Sequence, residues 1–342
     1  MGTAGDISVI WAGTRSESAA SCEDPVFVLC AGRSGSTLLR FILDSHPVLA
    51  CPAETKIPWL CGLMASAWSV AEDVSLDSAN PNPNNPNPDP NNANPDPGNA
   101  PGSAPNPEAD NSKKLRLAPG PVLAGLRKSF DPLIAACLER TGKRRFCDKS
   151  LGGAMYAGLL RQVWPKAKFI SLYRHPMDLI GSGIEASPWG LDGYGFENYT
   201  ARFPGNNVAA LAEYWLDYTR AIVAAERRFG PDCLRMRYED LVAEPEAEAK
   251  RVFDFLGVDA VPGITETMFA GQHQQAGPGD HKIWQTTRVS ADSVGRGWDI
   301  PPRLIPPPLL AAVNTLAGGL GYLPVTRNWG TGDKPYDVRV PA

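Results

Sequence analysis

The chain has 342 residues, of which 43% are hydrophobic, enough for one large α/β domain or two small ones. Its net charge of -4 and pI near 5.7 argue against nucleic acid as a partner, because binding to a phosphate backbone requires a basic face. The sequence shows no secretory leader and no apolar run long enough to span a membrane, and its seven cysteines lack metal-ligand spacing. We therefore expect a cytoplasmic protein with idle thiols.

Predicted strands and helices alternate along the chain. Residues 25–30 are a short apolar run typical of a buried parallel strand, and helical spacing follows over 38–43. Further strands are predicted over 145–147, 167–173 and 233–238, and further helices over 121–140, 155–163, 207–229, 246–256 and 304–320. This alternation predicts an α/β fold with a central, mainly parallel sheet flanked by helices. Ligands bind such sheets at the carboxyl ends of the strands, so the loops after residues 30, 147, 173 and 238 should meet there.

The composition also predicts domain boundaries. Residues 79–110 are rich in Asn and Pro and nearly lack apolar side chains, so they cannot bury enough surface to offset the entropy of ordering them. We expect a disordered insertion there, within one domain over 24–325. A flexible segment over 1–23 and a tail over 326–342 should flank that domain.

A glycine-containing loop joins the first strand to its helix and could hold an anion. Glycines allow backbone N–H groups to turn toward one point, and the start of the helix adds unpaired donors and a positive dipole end. The candidate binding residues are Gly32, Arg33, Ser34, Gly35, Ser36, Thr37 and Leu38. A nucleoside-triphosphate loop would carry Lys after its second glycine, whereas this chain has Ser36, which argues against a kinase. Serine could also simply cap the helix without any ligand.

The segment GRSGSTLL resembles the 5′-phosphosulfate loop of sulfotransferases that use 3′-phosphoadenosine 5′-phosphosulfate (PAPS). The resemblance implies a three-layer, P-loop-like fold and a second motif for the 3′-phosphate. That motif is a strand ending in Arg with a Ser about eight residues later, and Arg174 and Ser182 match it. An Arg at a strand end could also be an ordinary surface ion-pair partner, but two charge-assisted hydrogen bonds from a guanidinium suit a phosphate.

Other segments are similar to sulfotransferases of the bacterial and tyrosylprotein types. The similarity implies that Glu54 is the catalytic base with Lys56 at the acceptor, that Lys149 is the catalytic lysine, and that Tyr238 of a YEDL segment contacts the nucleotide. A late loop would close over the cofactor with Val294, Gly295 and Arg296. Each of these residues also has an ordinary structural interpretation.

One further segment, around His273, resembles a loop in sulfotransferase domains of polyketide assembly lines, where a histidine lies by the acceptor. His273 is therefore a second candidate for the base. A lone histidine in a loop is also often simply solvated.

Together these similarities imply sulfuryl transfer from PAPS to a hydroxyl of a small molecule, lipid, sugar or carrier-bound acyl chain, with release of 3′-phosphoadenosine 5′-phosphate (PAP) and no metal requirement. A nucleotide kinase-like transferase, a non-catalytic protein that binds PAP or PAPS, and an interaction protein organised by the Asn/Pro segment are the alternatives. The sequence does not indicate the oligomeric state or which hydroxyl is the acceptor.

Overall fold

Five parallel strands form the central sheet of the computed structural model, which describes residues 22–71, 118–186, 195–271, 273–274, 283, 286–331 and 338–339. The strands are β1 (Val26–Cys30), β2 (Leu49–Ala50), β3 (Arg145–Asp148), β4 (Lys168–Tyr173) and β5 (Cys233–Arg237). Their order across the sheet is β2-β3-β1-β4-β5, and every neighbouring pair is parallel. The predicted parallel sheet is confirmed, and the carboxyl ends of all five strands lie at one edge.

Side chains of β1 alternate between two separate hydrophobic cores, as expected for a strand buried on both faces. Val26, Val28 and Cys30 pack with α1, α8 and α9 on one face, whereas Phe27 and Leu29 pack with the remaining larger helices on the other. The helices are α1 (Ser36–Ser45), α2 (Ile57–Ala71), α3 (Gly120–Thr141), α4 (Ala157–Val163), α5 (Pro176–Ile184), α6 (Glu197–Arg202), α7 (Asn207–Phe229), α8 (Tyr238–Ala243), α9 (Pro245–Leu256), α10 (Ile264–Thr267) and α11 (Pro307–Gly319). The result is the three-layer arrangement that the sequence predicts.

Several predicted element ends differ from the structure by one to three residues, and three of these differences have a clear local description. The fifth strand ends at Arg237, and Tyr238 begins α8, because Arg237 pairs with Asp240 one turn later at 2.7 Å and acidic residues favour a helix start. The last helix begins at Pro307 rather than at 304, since a residue that precedes proline disfavours helical geometry. The helix predicted from 155 starts with a 3₁₀ turn over Gly153–Tyr156.

Packing continues past the predicted domain boundary at 325. Trp329 and Val338 lie buried in the core, and Arg339 forms an ion pair with Asp240 at 2.6 Å. At the other end, Cys22 contacts the same core. The predicted Asn/Pro-rich insertion at 79–110 lies outside the described residues.

The described part of the chain has two further properties that bear on the predictions. None of its helices combines the length and apolar character needed to cross a membrane. None of the seven cysteines, all of which are described, forms a disulfide, and burial raises the pKa of each thiol, to about 11 for Cys30 and about 12 for Cys147.

Candidate active site

The phosphate loop leaves β1 at the carboxyl edge of the sheet and enters α1. Gly35 has a φ of 83°, and a Cβ added there would lie 2.2 Å from Cδ2 of Tyr238, so only glycine fits. Arg33 also takes a left-handed backbone conformation, with a φ of 68°. The amides of Leu38 and Leu39 donate to the carbonyl oxygen of Gly35 at 3.0 and 3.3 Å, whereas those of Ser36 and Thr37 have no backbone acceptor among the described residues and are thus available to an anion.

Arg174 lies directly against this loop, as the sequence predicts. Its Nη1 donates to the carbonyl oxygen of Arg33 at 2.8 Å, and its Nη2 donates to the carbonyl oxygen of Ser293 at 2.9 Å. The guanidinium carbon lies 4.5 Å from the ring centroid of Tyr238, which packs between Arg174 and Gly35. Nε of Arg174 is buried without a hydrogen-bond partner among the described residues. A buried guanidinium with spare donors therefore faces the loop that would hold an anion.

Ser182 also contacts the phosphate loop, through the side chain of Arg33. Nε of Arg33 donates to Oγ of Ser182 at 3.2 Å, which ties the phosphate loop to α5. The structure thus brings the two predicted anion motifs together at one point.

The late loop is fixed onto α5 by a buried carboxylate. Oδ2 of Asp178 accepts from the amide of Gly295 at 2.7 Å, and Oδ1 accepts from the amide of Gly297 at 2.8 Å. A Cβ on Gly297 would lie 2.2 Å from backbone atoms of Met177, so the loop packs against α5 without space for a side chain. Val294 is half-buried beside these residues.

Arg296 is placed less directly. Its Nε donates to the carbonyl oxygen of Asp292 at 3.0 Å, and its Nη1 lies 3.9 Å from Oε2 of Glu185. The structure holds Arg296 within its own loop and near α5, with no contact to the phosphate loop among the described residues.

An ion pair joins two of the three predicted catalytic residues. Nζ of Lys149 lies 2.6 Å from Oε1 of Glu54, with the lysine side chain 6% exposed and the glutamate side chain 31% exposed. Thr55 donates to the buried Asp148, whose other oxygen accepts from the amide of Ser150 at 2.8 Å. These contacts fix the segment that carries Glu54 against the end of β3.

Two residues beside this ion pair differ in burial: Asp148 is buried and Lys56 is exposed. Burial raises the pKa of Asp148, even though the hydrogen bonds from Thr55 and Ser150 lower it. The side chain of Lys56 is exposed. Its amide donates to Oγ of Ser150 at 2.9 Å, and its backbone is left-handed, with a φ of 59°.

The family follows from a comparison with known proteins. A profile of the Sulfotransferase family matches residues 25–262, which is well over half of the chain. The chain belongs to this family. Its solved structural neighbours include the sulfotransferase domain from the curacin biosynthetic pathway, with a TM-score of 0.57, 17% identity and coverage of 88% of this chain and 98% of that one. Another is the sulfotransferase domain of the Synechococcus PCC 7002 olefin synthase, with a TM-score of 0.53, 21% identity and coverage of 90% and 99%. At these identities the neighbours establish the fold.

Two curated proteins are similar to this chain over most of its length. Protein-tyrosine sulfotransferase A of Caenorhabditis elegans is 24% identical over 236 residues, covering 68% of this chain and 50% of that protein. Nodulation protein NoeE of Sinorhizobium fredii is 28% identical over 267 residues, covering 72% and 52%. The chain therefore spans about half the length of the curated relatives it matches.

His273, the second candidate for the base, has its hydrogen-bond partners away from the ion pair of Lys149 and Glu54. Its Nδ1 lies 2.8 Å from Oδ2 of Asp44, its Nε2 lies 2.8 Å from the carbonyl oxygen of Met268, and its ring stacks on Phe41 with centroids 4.0 Å apart. Burial opposes ionisation of Asp44, but the hydrogen bond from His273 and the charge of Lys143 outweigh it and lower the pKa of that carboxyl. Both ring nitrogens of His273 therefore already face acceptors within the protein.

Three supporting contacts were not foreseen from the sequence. The amide of Gly32 donates to the hydroxyl of Tyr214 on α7 at 2.6 Å, Asp178 holds the late loop, and the indole of Trp329 donates to the carbonyl oxygen of Gly297 at 2.9 Å. Each joins residues far apart in the chain. The only available signal was an acidic residue in the first turn of a helix, which is also typical of ordinary helix starts.

Glu239, inside the YEDL segment, supports the loop that follows Arg174. Its Oε1 accepts from the amide of His175 at 2.9 Å, and its Oε2 accepts from the hydroxyl of Tyr322 at 2.9 Å. Burial raises the pKa of Glu239 to about 7 and lowers the pKa of His175 to about 4. His175 is therefore neutral at pH 7, and since its Nδ1 accepts from the amide of Met177, its proton is on Nε2, which faces the carbonyl oxygen of Leu323.

Proposed function

We propose that this chain transfers a sulfuryl group from PAPS to an acceptor hydroxyl and releases PAP. The observation that carries the proposal is the position of Arg174 at the same sheet edge as the pair of Lys149 and Glu54. Arg174 is buried against the phosphate loop, and its Nε has no partner in the part of the chain that the structure describes. A doubly anionic nucleotide fits such a site, since one end meets helix amides and the other meets a guanidinium.

The proposed binding roles follow from the placement of each group. The amides and hydroxyls of Ser34, Ser36 and Thr37, together with Arg33, would hold the 5′-phosphosulfate. Arg174 and Ser182 would hold the 3′-phosphate, and Tyr238 would support the guanidinium from below. The late loop, fixed by Asp178, would cover the nucleotide with Val294, Gly295 and Arg296.

Sulfuryl transfer resembles phosphoryl transfer, in which catalysis comes mainly from positioning and charge. The acceptor oxygen would attack sulfur in line with the bridging oxygen of the leaving nucleotide. One sulfur–oxygen bond forms, the bond to the bridging oxygen breaks, and the acceptor proton passes to Glu54. Lys149 would neutralise the negative charge that develops on the departing oxygen, and Lys56 would face the acceptor from the rim.

The test is a turnover assay with sulfur-labelled PAPS and a panel of phenols, sugars, lipids and hydroxyacyl carriers, run on the wild type, Glu54→Gln and His273→Ala. We expect label in at least one acceptor, loss of that label in Glu54→Gln, and residual activity in His273→Ala. An active Glu54→Gln with an inactive His273→Ala would reverse the assignment of the base. Magnesium-dependent turnover of ATP without sulfation would instead indicate a kinase.

PAP calorimetry separates catalysis from binding. A protein that binds PAP, sulfates none of the panel and is indifferent to the loss of Lys149 would be a non-catalytic binding protein. Deleting residues 79–110 tests the third alternative, because an interaction protein would lose its function while PAP binding stays intact.

A further inference from the structure

A groove of about 230 Å³ opens between α2, α3 and the segment that carries Glu54. On α3 its wall is one helix face, because the residues lie three, four and seven positions apart: Phe130, Leu133, Ile134 and Cys137. Leu60 of α2 and Phe146 of β3 also line the groove. The lining is therefore almost wholly apolar, as in most sites for small molecules.

Neither Glu54 nor Lys149 lines the groove, but their chain neighbours connect the groove to them. Thr55 lines the groove and directly follows Glu54. Its hydroxyl donates to Asp148, the residue before Lys149. A molecule in this groove thus lies next to the backbone that presents both the base and the lysine.

The groove lining also contains one positively charged side chain. Arg140, in the last turn of α3, also lines it. Its guanidinium meets a neutral group, the side-chain oxygen of Gln274, at 3.0 Å from Nη2 and 3.2 Å from Nη1 when that amide is oriented to satisfy both groups. Among the described residues no carboxylate forms an ion pair with Arg140. Its charge is therefore available to an anion.

The groove also exposes apolar surface that a ligand would cover. Leu133 is 60% exposed, the most of the large hydrophobic side chains described. From Phe130 to Arg140 the wall rises ten residues along α3, roughly 15 Å. An apolar groove of that length, with a catalytic pair near one wall and a cation on another, matches an elongated amphiphile.

We propose that this groove binds the acceptor, and that the acceptor is an alcohol with an extended apolar body and an anionic end group. The hydroxyl lies at Glu54, the apolar body packs along Phe130, Leu133 and Ile134, and the anionic end pairs with Arg140. This inference rests on the proposed sulfuryl transfer and adds the class of acceptor to it.

Two measurements test the groove, one of binding and one of turnover. Binding of dodecanoate to the PAP-saturated protein is followed by calorimetry, and kcat/KM is measured for 12-hydroxydodecanoate, 1-dodecanol and phenol with PAPS. The variants are Leu133→Glu and Arg140→Gln, both at exposed positions that tolerate substitution. Leu63→Glu is the matched control, because Leu63 is 44% exposed on α2 and does not line the groove.

We expect dodecanoate to bind the wild type, and Arg140→Gln to weaken that binding about fivefold, as for the loss of a partly exposed ion pair. Arg140→Gln should lower kcat/KM for 12-hydroxydodecanoate by a similar factor and leave that for 1-dodecanol and phenol unchanged. Leu133→Glu should lower kcat/KM for both long acceptors and spare phenol. Leu63→Glu should match the wild type in every assay.

Absence of dodecanoate binding to the wild type would overturn the inference. So would unchanged dodecanoate affinity in both groove variants, or unchanged kcat/KM for 12-hydroxydodecanoate in an enzyme that sulfates phenol. The protein could instead bind dodecanoate in a way that depends on Arg140 and yet sulfate no acceptor. That result would support binding in the groove and contradict the proposed function.

Discussion

Replacing Lys149 by Met separates its proposed role in the transition state from any role in binding. The substitution keeps the apolar stem of a side chain that is only 6% exposed and removes the ammonium 2.6 Å from Oε1 of Glu54. Under the proposed mechanism that ammonium matters most when charge develops on the departing oxygen. Its loss should therefore slow the chemical step rather than release the nucleotide.

The expected loss of kcat is much larger than the expected losses of stability and of PAP affinity. Loss of one group that stabilises developing charge in an active site lowers kcat by roughly 10²- to 10³-fold. The cost in stability is much smaller, because Glu54 is 31% exposed and can be hydrated, so we expect a decrease of at most about 1 kcal/mol in the free energy of unfolding. The affinity for PAP, which lacks the reacting sulfuryl group, should change by less than about threefold.

The assay compares kcat from labelled PAPS with the Kd of PAP from calorimetry in the same preparation. Lys168→Met is the control, since Lys168 is a half-buried lysine at the amino end of β4, away from the carboxyl ends of the strands. We expect that control to retain full turnover. Equal losses of turnover and PAP affinity in Lys149→Met would refute a role confined to the transition state.

Three other substitutions test the supporting structure. Asp178→Asn leaves a late-loop amide without a good acceptor, so the free energy of unfolding should fall by about 1–3 kcal/mol in urea titrations and the Kd of PAP should rise about tenfold. Gly35→Ala places a Cβ 2.2 Å from the Tyr238 ring at a φ of 83° and should abolish PAP binding in calorimetry, and retained affinity would contradict the close packing. The raised pKa of Glu239, about 7 against an ordinary 4.5, means that the folded state holds the proton more tightly, so stability falls as pH rises from about 4.5 to 7. Glu239→Gln should remove that fall, on the order of 3 kcal/mol, from urea unfolding curves measured across this pH range.

Features set by local sequence were predictable. The continuous apolar run of β1 and the glycine loop after it predict a buried strand and an anion site, and the alternation of elements predicts where Arg174 must lie. A parallel sheet brings the carboxyl ends of its strands to one edge, so the meeting of Arg174 with the loop at Arg33 followed from topology. The strand β2 has only two residues, too few for any periodic signal.

Features set by long-range contacts were not predictable. The bond from Gly32 to Tyr214 joins residues 182 positions apart, and that from Gly295 to Asp178 joins residues 117 apart. No local pattern marks such partners. His273 illustrates the same limit, because the sequence around a loop histidine does not indicate which groups its ring nitrogens contact. In this structure they face Asp44 and a backbone carbonyl rather than a substrate.

Binding of PAP to the wild type and to Arg174→Met is the most direct test of the central claim, that one nucleotide is held between the phosphate loop and Arg174. Calorimetry should give a single site in the wild type, and Arg174→Met should raise its Kd by roughly 10- to 100-fold, as expected for lost charge-assisted hydrogen bonds. No heat of binding and no shift in Tm with PAP, or an affinity that is the same with and without the guanidinium, would contradict the account.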